Sequence, residues 1–201
     1  LDQKKKLITQ AKKIKWYPEY MRNRYNNWVK GLKWDWCISR QIPFGISFPV
    51  WYCEKCNEVI LAEEKDLPVD PLEDKPPIKE CPKCKSTKFI PEKDVMNTWA
   101  TSALTPTIVK DLLKGTKAYN KIKNKPMSIR RNGQDIITFW EFNTIVKSQL
   151  HYKINPWKEL FINGWILGKN GKKMSKSKNN TISPQEIIKQ WGADVLRYLS
   201  A

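Results

Sequence analysis

The sequence has little histidine, a shortage of acidic residues and no long apolar run. His151 is the single histidine among 201 residues, and 20 Asp and Glu stand against 37 Lys and Arg. No apolar run approaches the roughly 18 residues that a membrane-spanning helix needs. The first ten residues, LDQKKKLITQ, lack the apolar centre of a signal peptide. The sequence therefore predicts a soluble cytoplasmic protein without a membrane partner.

The charge balance is the strongest bulk feature. A formal net charge of +17 and an isoelectric point near 9.7 favour an anionic partner such as nucleic acid or a nucleotide. Isoleucine, asparagine and lysine are all abundant, which is also typical of an AT-rich genome, so the lysine content alone does not identify the partner. With 40% hydrophobic residues, the chain can build the core of one domain, or of a domain with a small appendage.

Composition divides the chain into four segments. Residues 1–34 are basic, with apolar residues at helical spacing, and predict a helical connecting arm. Residues 35–52 are rich in aromatic and β-branched residues, interrupted by proline and glycine, and predict strands joined by a turn. Residues 53–90 are poorer in apolar residues, rich in proline, and hold four of the five cysteines, as in a small inserted module. Residues 91–201 alternate between strand and helix patterns around a lysine-rich connection at 110–128.

The alternation in the last segment predicts the fold class. "MSIR" at 127–130 is a short strand candidate, residues 135–150 have helical apolar periodicity, and 159–168 read as a buried strand. "SPQE" at 183–186 then has the pattern of a capping box, with Ser183 as the N-cap of another helix. Strands alternating with helices predict an α/β protein with a parallel sheet.

Four cysteines are arranged as two C-x-x-C pairs. Cys53 and Cys56 form the first pair, and Cys81 and Cys84 form the second. Two such pairs can place four thiolates around a zinc ion, and four thiolates leave no open position, so the predicted site is structural. Disulfides and free structural cysteines are the alternatives, although a cytoplasmic chain disfavours disulfides. The fifth cysteine, Cys37, lies among strand-like residues and predicts a core thiol.

One short loop carries a concentrated positive charge. "GKKMSKSKNN" at 171–180 contains four lysines, two serines, one methionine and no acidic residue. A solvated basic turn is the ordinary interpretation of such a run. Because the like charges repel one another, the alternative is a binding site for a polyphosphate, whose negative charge would offset that repulsion.

Several segments together resemble one family. "KMSKS" at 173–177 matches the second signature of the class I aminoacyl-tRNA synthetases. The segments "DWCISRQ", "PVWYC", "DVMNTW", "NGQDII" and "GADVLRY" resemble the valine, isoleucine and leucine branch of that family, in the same order along the chain. "LPVDPLEDKPP" and "NPWKELFINGWILGKNGKKMSKS" are most similar to the archaeal-type members specific for valine. The resemblance covers essentially the whole chain.

The resemblance implies a part of a larger catalytic domain. Its Rossmann-type fold is split by an inserted editing domain, and the first signature, the HIGH-type motif, precedes that insertion. No HIGH-type motif is present here. The resemblance therefore implies the second half of a Rossmann-type parallel-sheet domain, with the zinc-ribbon module inserted at 53–90 and residues 1–34 returning from the editing domain. By itself, the chain is expected to be inactive in adenylation.

The resemblance also implies a reaction and its reagents. Members of the branch activate their amino acid with ATP and Mg²⁺, release pyrophosphate, and transfer the aminoacyl group to tRNA; the valine-specific members act on valine and tRNA(Val). By the match, Lys173 and Lys176 stabilise the negative charge of the leaving pyrophosphate. Ser175 and Ser177 bind phosphate or fix the turn, and Met174 anchors the loop in an apolar base.

Two further groups of residues follow from the resemblance. Gly133 and Asp135 match the family's contact with the ribose of ATP, although Asp135 could instead be a charge that favours a helix N-terminus. Phe44 and Trp99 match aromatic walls of the amino-acid pocket, although both could be ordinary core. Two related functions stay open, namely specificity for isoleucine or leucine and a zinc-ribbon module that binds nucleic acid.

Two positions depart from the usual family residues. Gln134 stands where histidine is common, and Asn179 stands where glycine is common. Asparagine tolerates the left-handed backbone conformation, and it also follows the first cysteine pair, as Asn57. The predicted turns are therefore compatible with both asparagines.

Overall fold

A parallel sheet of three strands organises the chain in the computed structural model, which describes residues 3–168 and 171–200. The strand order is β1-β8-β7, with β8 (Trp157–Asn163) in the centre between β1 (Lys15–Tyr17) and β7 (Met127–Gly133). Both neighbours run parallel to β8. The central strand is buried at Trp157, Leu160 and Ile162, which agrees with its apolar sequence.

The remaining elements surround this sheet or form a separate small sheet. The other strands are β2 (Ser39–Arg40), β3 (Val50–Cys53), β4 (Val59–Leu61), β5 (Phe89–Pro91) and β6 (Val95–Met96). The α-helices are α1 (Lys4–Lys12), α2 (Met21–Gly31), α3 (Thr98–Ser102), α4 (Thr105–Leu112), α5 (Lys117–Ile122), α6 (Phe142–His151), α7 (Pro184–Trp191) and α8 (Ala193–Leu199). In the described ranges, every helix is too short or too polar to cross a membrane.

The core lies where helices α1, α2 and α6 cover the parallel sheet. Its buried members include Leu7 and Ala11 from α1, Tyr25 from α2, Ile145 from α6 and Leu160 from β8. The rings of Trp140 and Trp157 stack beside them with centroids 5.3 Å apart and planes 11° apart. Burial of large aromatic side chains contributes strongly to such a core.

The cysteine module is a second, antiparallel sheet with strand order β4-β3-β5. Trp51 of β3 is buried and faces Ile60 of β4 and Pro91 of β5 in register. Strand β2 pairs separately with β6, through Ser39 and Met96. The short strands predicted for 35–52 are therefore split between these two sheets.

The structure corrects several secondary-structure predictions. Residues 1–34 are not wholly helical, because β1 interrupts them and joins the central sheet. The strand predicted for 159–168 ends at Asn163. The helix predicted for 135–150 starts with a 3₁₀ turn at Gln134–Ile136 and a π-helical turn at Ile137–Glu141 before α6 begins. The connection at 110–128 contains the whole of α5.

Two side-chain predictions are also wrong. Cys37 is exposed and lies 3.2 Å from the Ser39 hydroxyl, because its segment runs along the surface before β2 begins. The Ser183 hydroxyl faces Gln185 Oε1 at 3.1 Å instead of closing a capping box. The bounds of that helix nevertheless agree with the prediction, since Pro184 starts α7 and Gly192 follows its end.

Candidate functional site

The carboxyl ends of β7 and β8 meet at one edge of the parallel sheet. Gly133 ends β7 directly opposite Asn163, which ends β8. The 3₁₀ turn after Gly133 carries Asp135, whose side chain is about half exposed. A Cβ atom on residue 133 would lie 2.6 Å from Asp135 Oδ1. Glycine at 133 therefore leaves room for the carboxylate of Asp135 beside the strand end.

Backbone contacts join the start of the basic loop to the residues that follow β8. Leu167 forms an isolated antiparallel bridge with Lys173, and the Gly168 N–H donates to the Lys172 carbonyl at 2.9 Å. Gly171 has a φ of +69°, a conformation that favours glycine. These contacts hold Lys173 beside Leu167, four residues after the end of β8.

Asn180 closes the other side of this loop. Its Oδ1 accepts from the Ser175 N–H at 2.8 Å, and its Nδ2 donates to the Lys173 carbonyl at 3.2 Å. The prediction that Asn179 can adopt a positive φ is confirmed at +49°. Between these residues, Lys176–Lys178 form a single 3₁₀ turn, and the Ser175 and Ser177 hydroxyls are 2.8 Å apart.

Lys173 joins the loop to the ends of both strands. Its Nζ lies 3.6 Å from Asp135 Oδ2 and 4.1 Å from the centroid of the Trp165 ring, just beyond β8. Both members of the ion pair are about half exposed, so the pair itself contributes little to stability. The two sequence motifs that contain Asp135 and Lys173 thus come together, whereas Lys176 is exposed on the 3₁₀ turn.

Met174 points to an apolar cleft of about 500 Å³. The same cleft is lined by Trp165 and Leu167 before the loop, and by Ile187 and Leu196 from α7 and α8. An apolar base of this kind can anchor the loop while its lysines face solvent.

The two predicted aromatic pocket residues have different surroundings. Trp99 packs against the core, and its ring stacks on Phe139 at 5.8 Å, whereas Phe44 is 65% exposed. Phe139 also lines an apolar cleft of about 380 Å³ together with Trp28 and Trp34. Sequence reasoning missed this cleft, although the closely spaced tryptophans around position 34 were a visible signal.

The four paired cysteines converge. Their Sγ atoms all lie within 4.8 Å of one another, with 3.4 Å between Cys53 and Cys84 and 3.6 Å between Cys56 and Cys81. All four are free thiols. Four sulfurs at 2.3 Å from a tetrahedral zinc would be about 3.8 Å apart. These separations lie on either side of that value, so the cluster fits a zinc ion after small shifts of the sulfur atoms.

Each cysteine pair lies on the same kind of turn. The N–H of Asn57 donates to the Cys53 carbonyl at 2.9 Å, and the N–H of Lys85 donates to the Cys81 carbonyl at 3.0 Å. Asn57 has a φ of +55°, as the sequence allowed, and Lys85 has a φ of +60°. The positive φ of Lys85 was missed, because lysine gives no sequence signal for it.

The family comparison covers nearly the entire chain. Residues 2–201 match the family described as "tRNA synthetases class I (I, L, M and V)". The valine–tRNA ligase of Thermoplasma volcanium is 50% identical over 198 residues, which are 98% of this chain and 24% of that protein. The valine–tRNA ligase of Methanopyrus kandleri is 46% identical over 188 residues, 94% of this chain and 20% of that protein.

A bacterial protein is similar to the chain over its whole length. The valine–tRNA ligase of Wolbachia sp. subsp. Brugia malayi is 44% identical over 209 residues, which are 100% of this chain and 24% of that protein. The chain thus spans about a quarter or less of the length of these curated relatives.

Solved structures share the fold. The Agrobacterium radiobacter K84 agnB2 LeuRS, in a ternary complex with tRNA and LeuAMS, is 25% identical with a TM-score of 0.59, over 83% of this chain and 24% of that chain. Mycobacterium tuberculosis methionyl-tRNA synthetase in complex with methionyl-adenylate has a TM-score of 0.60 at 19% identity, over 98% of this chain and 31% of that chain. The predicted α/β class with a parallel sheet is confirmed.

Proposed function

Because the chain belongs to the class I tRNA synthetases, we propose that it is the second half of the catalytic domain of a valine–tRNA ligase. In this proposal, the complete enzyme forms valyl-adenylate from valine and ATP and transfers the valyl group to tRNA(Val) in the cytoplasm. The three valine–tRNA ligases, at 44–50% identity, favour valine over isoleucine or leucine. The remaining domains of the enzyme supply the HIGH-type motif and the editing site.

The observation that carries the proposal is the contact between Asp135 and Lys173. The carboxylate that the resemblance assigns to the ribose of ATP lies 3.6 Å from a lysine that it assigns to the phosphates. One nucleotide placed along the sheet edge can therefore reach both groups. The exposed ion pair is weak enough for a ligand to replace it.

The loop supplies the electrostatic part of the reaction. Attack of the valine carboxylate on the α-phosphate breaks the bond to the β-phosphate, and negative charge grows on the leaving pyrophosphate. Lys173 and Lys176 are proposed to stabilise that charge, which is greater in the transition state than in bound ATP. The Ser175 and Ser177 hydroxyls, 2.8 Å apart, can donate to phosphate oxygens from the same side. Mg²⁺ is proposed to enter with ATP.

The amino-acid side chain is proposed to bind against Trp99 and Phe44. Trp99 is held in place by its stacking on Phe139. The ring of Phe44 is exposed and is therefore available to contact an aliphatic ligand. Apolar walls of this kind select by size but discriminate poorly against an isosteric hydroxyl.

The cysteine cluster is proposed to hold a structural zinc ion. Cys53, Cys56, Cys81 and Cys84 would be its ligands, and their spacing fits tetrahedral thiolate coordination. When bound, the ion supplies the cross-link between the two turns and takes no part in adenylation.

The test is ATP–pyrophosphate exchange with valine in the complete synthetase that carries this chain. Lys173→Ala and Lys176→Ala should each lower kcat by about a hundredfold, the range for loss of one charge-stabilising donor. Lys158→Ala is the matched control, because Lys158 is exposed at the opposite end of β8. Exchange at the unchanged rate in a Lys173→Ala, Lys176→Ala double variant would refute the proposed role of the loop.

A further inference from the structure

A buried carboxyl group lies behind the proposed ATP site, and the proposed chemistry does not use it. Glu141, in the π-helical turn before α6, is 0% exposed. Its Oε1 accepts a short hydrogen bond from Asn132 Nδ2. Within the described residues, its Oε2 has no hydrogen-bond partner. Burying a carboxyl group with only one of its oxygens hydrogen-bonded costs folding free energy. The burial of Glu141 therefore calls for an explanation.

Glu141 is mostly uncharged, so it acts as a hydrogen-bond acceptor and not as a partner in an ion pair. Burial raises the pKa of Glu141 to about 8, against the opposing effects of the Asn132 hydrogen bond and the Arg130 charge. The Arg130 guanidinium lies 4.1 Å from the centroid of the Trp140 ring. Glu141 is therefore largely protonated near pH 7, and its carbonyl oxygen serves Asn132.

Asn132 connects this buried group to the strand end. It is 8% exposed and immediately precedes Gly133, with which β7 ends. Its register partner is Ile162 of β8, so its backbone is fixed by the sheet while its side chain is fixed by Glu141. The next residues form the turn that carries Asp135, and a Cβ atom on residue 133 would require that carboxylate to move.

We propose that Glu141 is a positioning residue that, through Asn132, fixes the turn at Gly133–Asp135 for the ribose of ATP. This inference rests on the proposed function, since it assumes that Asp135 binds ATP. Glu141 lies on the buried face of the π-helical turn, together with Ile137 and Trp140. Such turns often occur at functional sites.

The test compares substitutions at Glu141 in the complete synthetase, by ATP–pyrophosphate exchange. Glu141→Leu removes the acceptor of Asn132 and should raise KM for ATP by at least about fivefold, the cost of an unpaired buried donor. KM for valine should stay within about twofold. Glu141→Gln keeps a carbonyl acceptor at the same place and should restore KM for ATP.

A matched control separates positioning from general destabilisation. Gln149 is also buried on α6, and its Nε2 donates to Asn155 Oδ1 at 2.9 Å, before the opposite end of β8. Gln149→Leu should lower the melting temperature without changing KM for ATP. If Glu141→Leu does not fold, Asn132→Ser, which shortens the donor side chain, provides the same KM comparison.

Two results would overturn the inference. One is an unchanged KM for ATP in both Glu141→Leu and Asn132→Ser. The other is an equal rise of KM for ATP and of KM for valine in Glu141→Leu, with no recovery of either KM in Glu141→Gln. If Lys173→Ala still lowers kcat by about a hundredfold in the same assay, only the inference about Glu141 fails and the proposed function stands.

Discussion

Asn57 and Lys85 occupy equivalent positions in the two cysteine turns, and both have a left-handed backbone. Their φ values are +55° and +60°, and each N–H donates to the carbonyl of the first cysteine of its pair. Each of the two turns thus contributes two sulfurs to one cluster. Asparagine commonly adopts this conformation, whereas lysine does not.

This difference predicts an unusual response at Lys85. Lys85→Gly should stabilise the protein by about 0.5 kcal/mol, because relief of the left-handed conformation outweighs the greater chain entropy of glycine. Lys85→Val should destabilise it by more than about 1 kcal/mol, since a β-branched residue tolerates positive φ poorly. Thermal unfolding measures both. Lys55→Val, in the first turn at ordinary φ, is the control, and equal effects of valine at 55 and 85 would contradict the argument.

Zinc binding should depend on the clustered cysteines alone. We expect one zinc ion per chain by metal analysis, with loss of the ion in Cys84→Ser because serine is a poor zinc ligand. Cys37→Ser removes an exposed thiol outside the cluster and should retain the full zinc content. A chelator should lower the melting temperature of the unsubstituted protein, since metal binding is coupled to folding. Full zinc content in Cys84→Ser would exclude a four-cysteine site.

A single added methyl group should disturb the proposed ATP site. The new Cβ in Gly133→Ala would lie 2.6 Å from Asp135 Oδ1, so the carboxylate must move. We expect KM for ATP to rise by about tenfold in ATP–pyrophosphate exchange, because a small misplacement of a binding group is costly. Gly31→Ala is the control, since its Cβ meets no atom within 4 Å. An unchanged KM in Gly133→Ala would contradict the expectation that Gly133 sets the position of the Asp135 carboxylate for ATP.

The raised pKa of Glu141 predicts a pH dependence of stability. Burial raises this pKa from 4.5 to about 8, so between these values the folded protein keeps a proton that the unfolded chain has released. This contribution to stability is complete below about pH 4.5, falls by up to about 1.4 kcal/mol per pH unit, and is lost above about pH 8. Urea unfolding from pH 5 to pH 9 should show that slope. Glu141→Gln should remove it, and an identical slope in both proteins would refute the assignment.

Sequence patterns predicted the elements whose residues interact locally. The π-helical start before α6 did not hide that helix, because its apolar spacing persists over several turns. Strand β7 was predicted from four residues and extends to Gly133. In contrast, β1 is three residues long, and within the described residues it pairs with β8, far along the chain. No local periodicity can reveal a strand that short.

The site was predictable in its residue types but not in its contacts. The lysines of the loop stood out by charge, and Asp135 followed from a family motif. Their proximity depends on the register that sets Gly133 opposite Asn163, which no local pattern encodes. Burial of Glu141 was not predicted, because a glutamate is usually exposed and nothing local in the sequence marks this one as buried.

The pairing of β1 with β8 has a consequence for synthesis on the ribosome. Lys15 of β1 is paired with Glu159 of β8. The edge strand β1 is therefore synthesised long before β8, the strand with which it pairs. At about 5 to 20 residues per second, the amphipathic helices α1 and α2 wait for roughly seven to thirty seconds without their sheet. During that interval, the apolar faces of these helices are exposed and can bind chaperones.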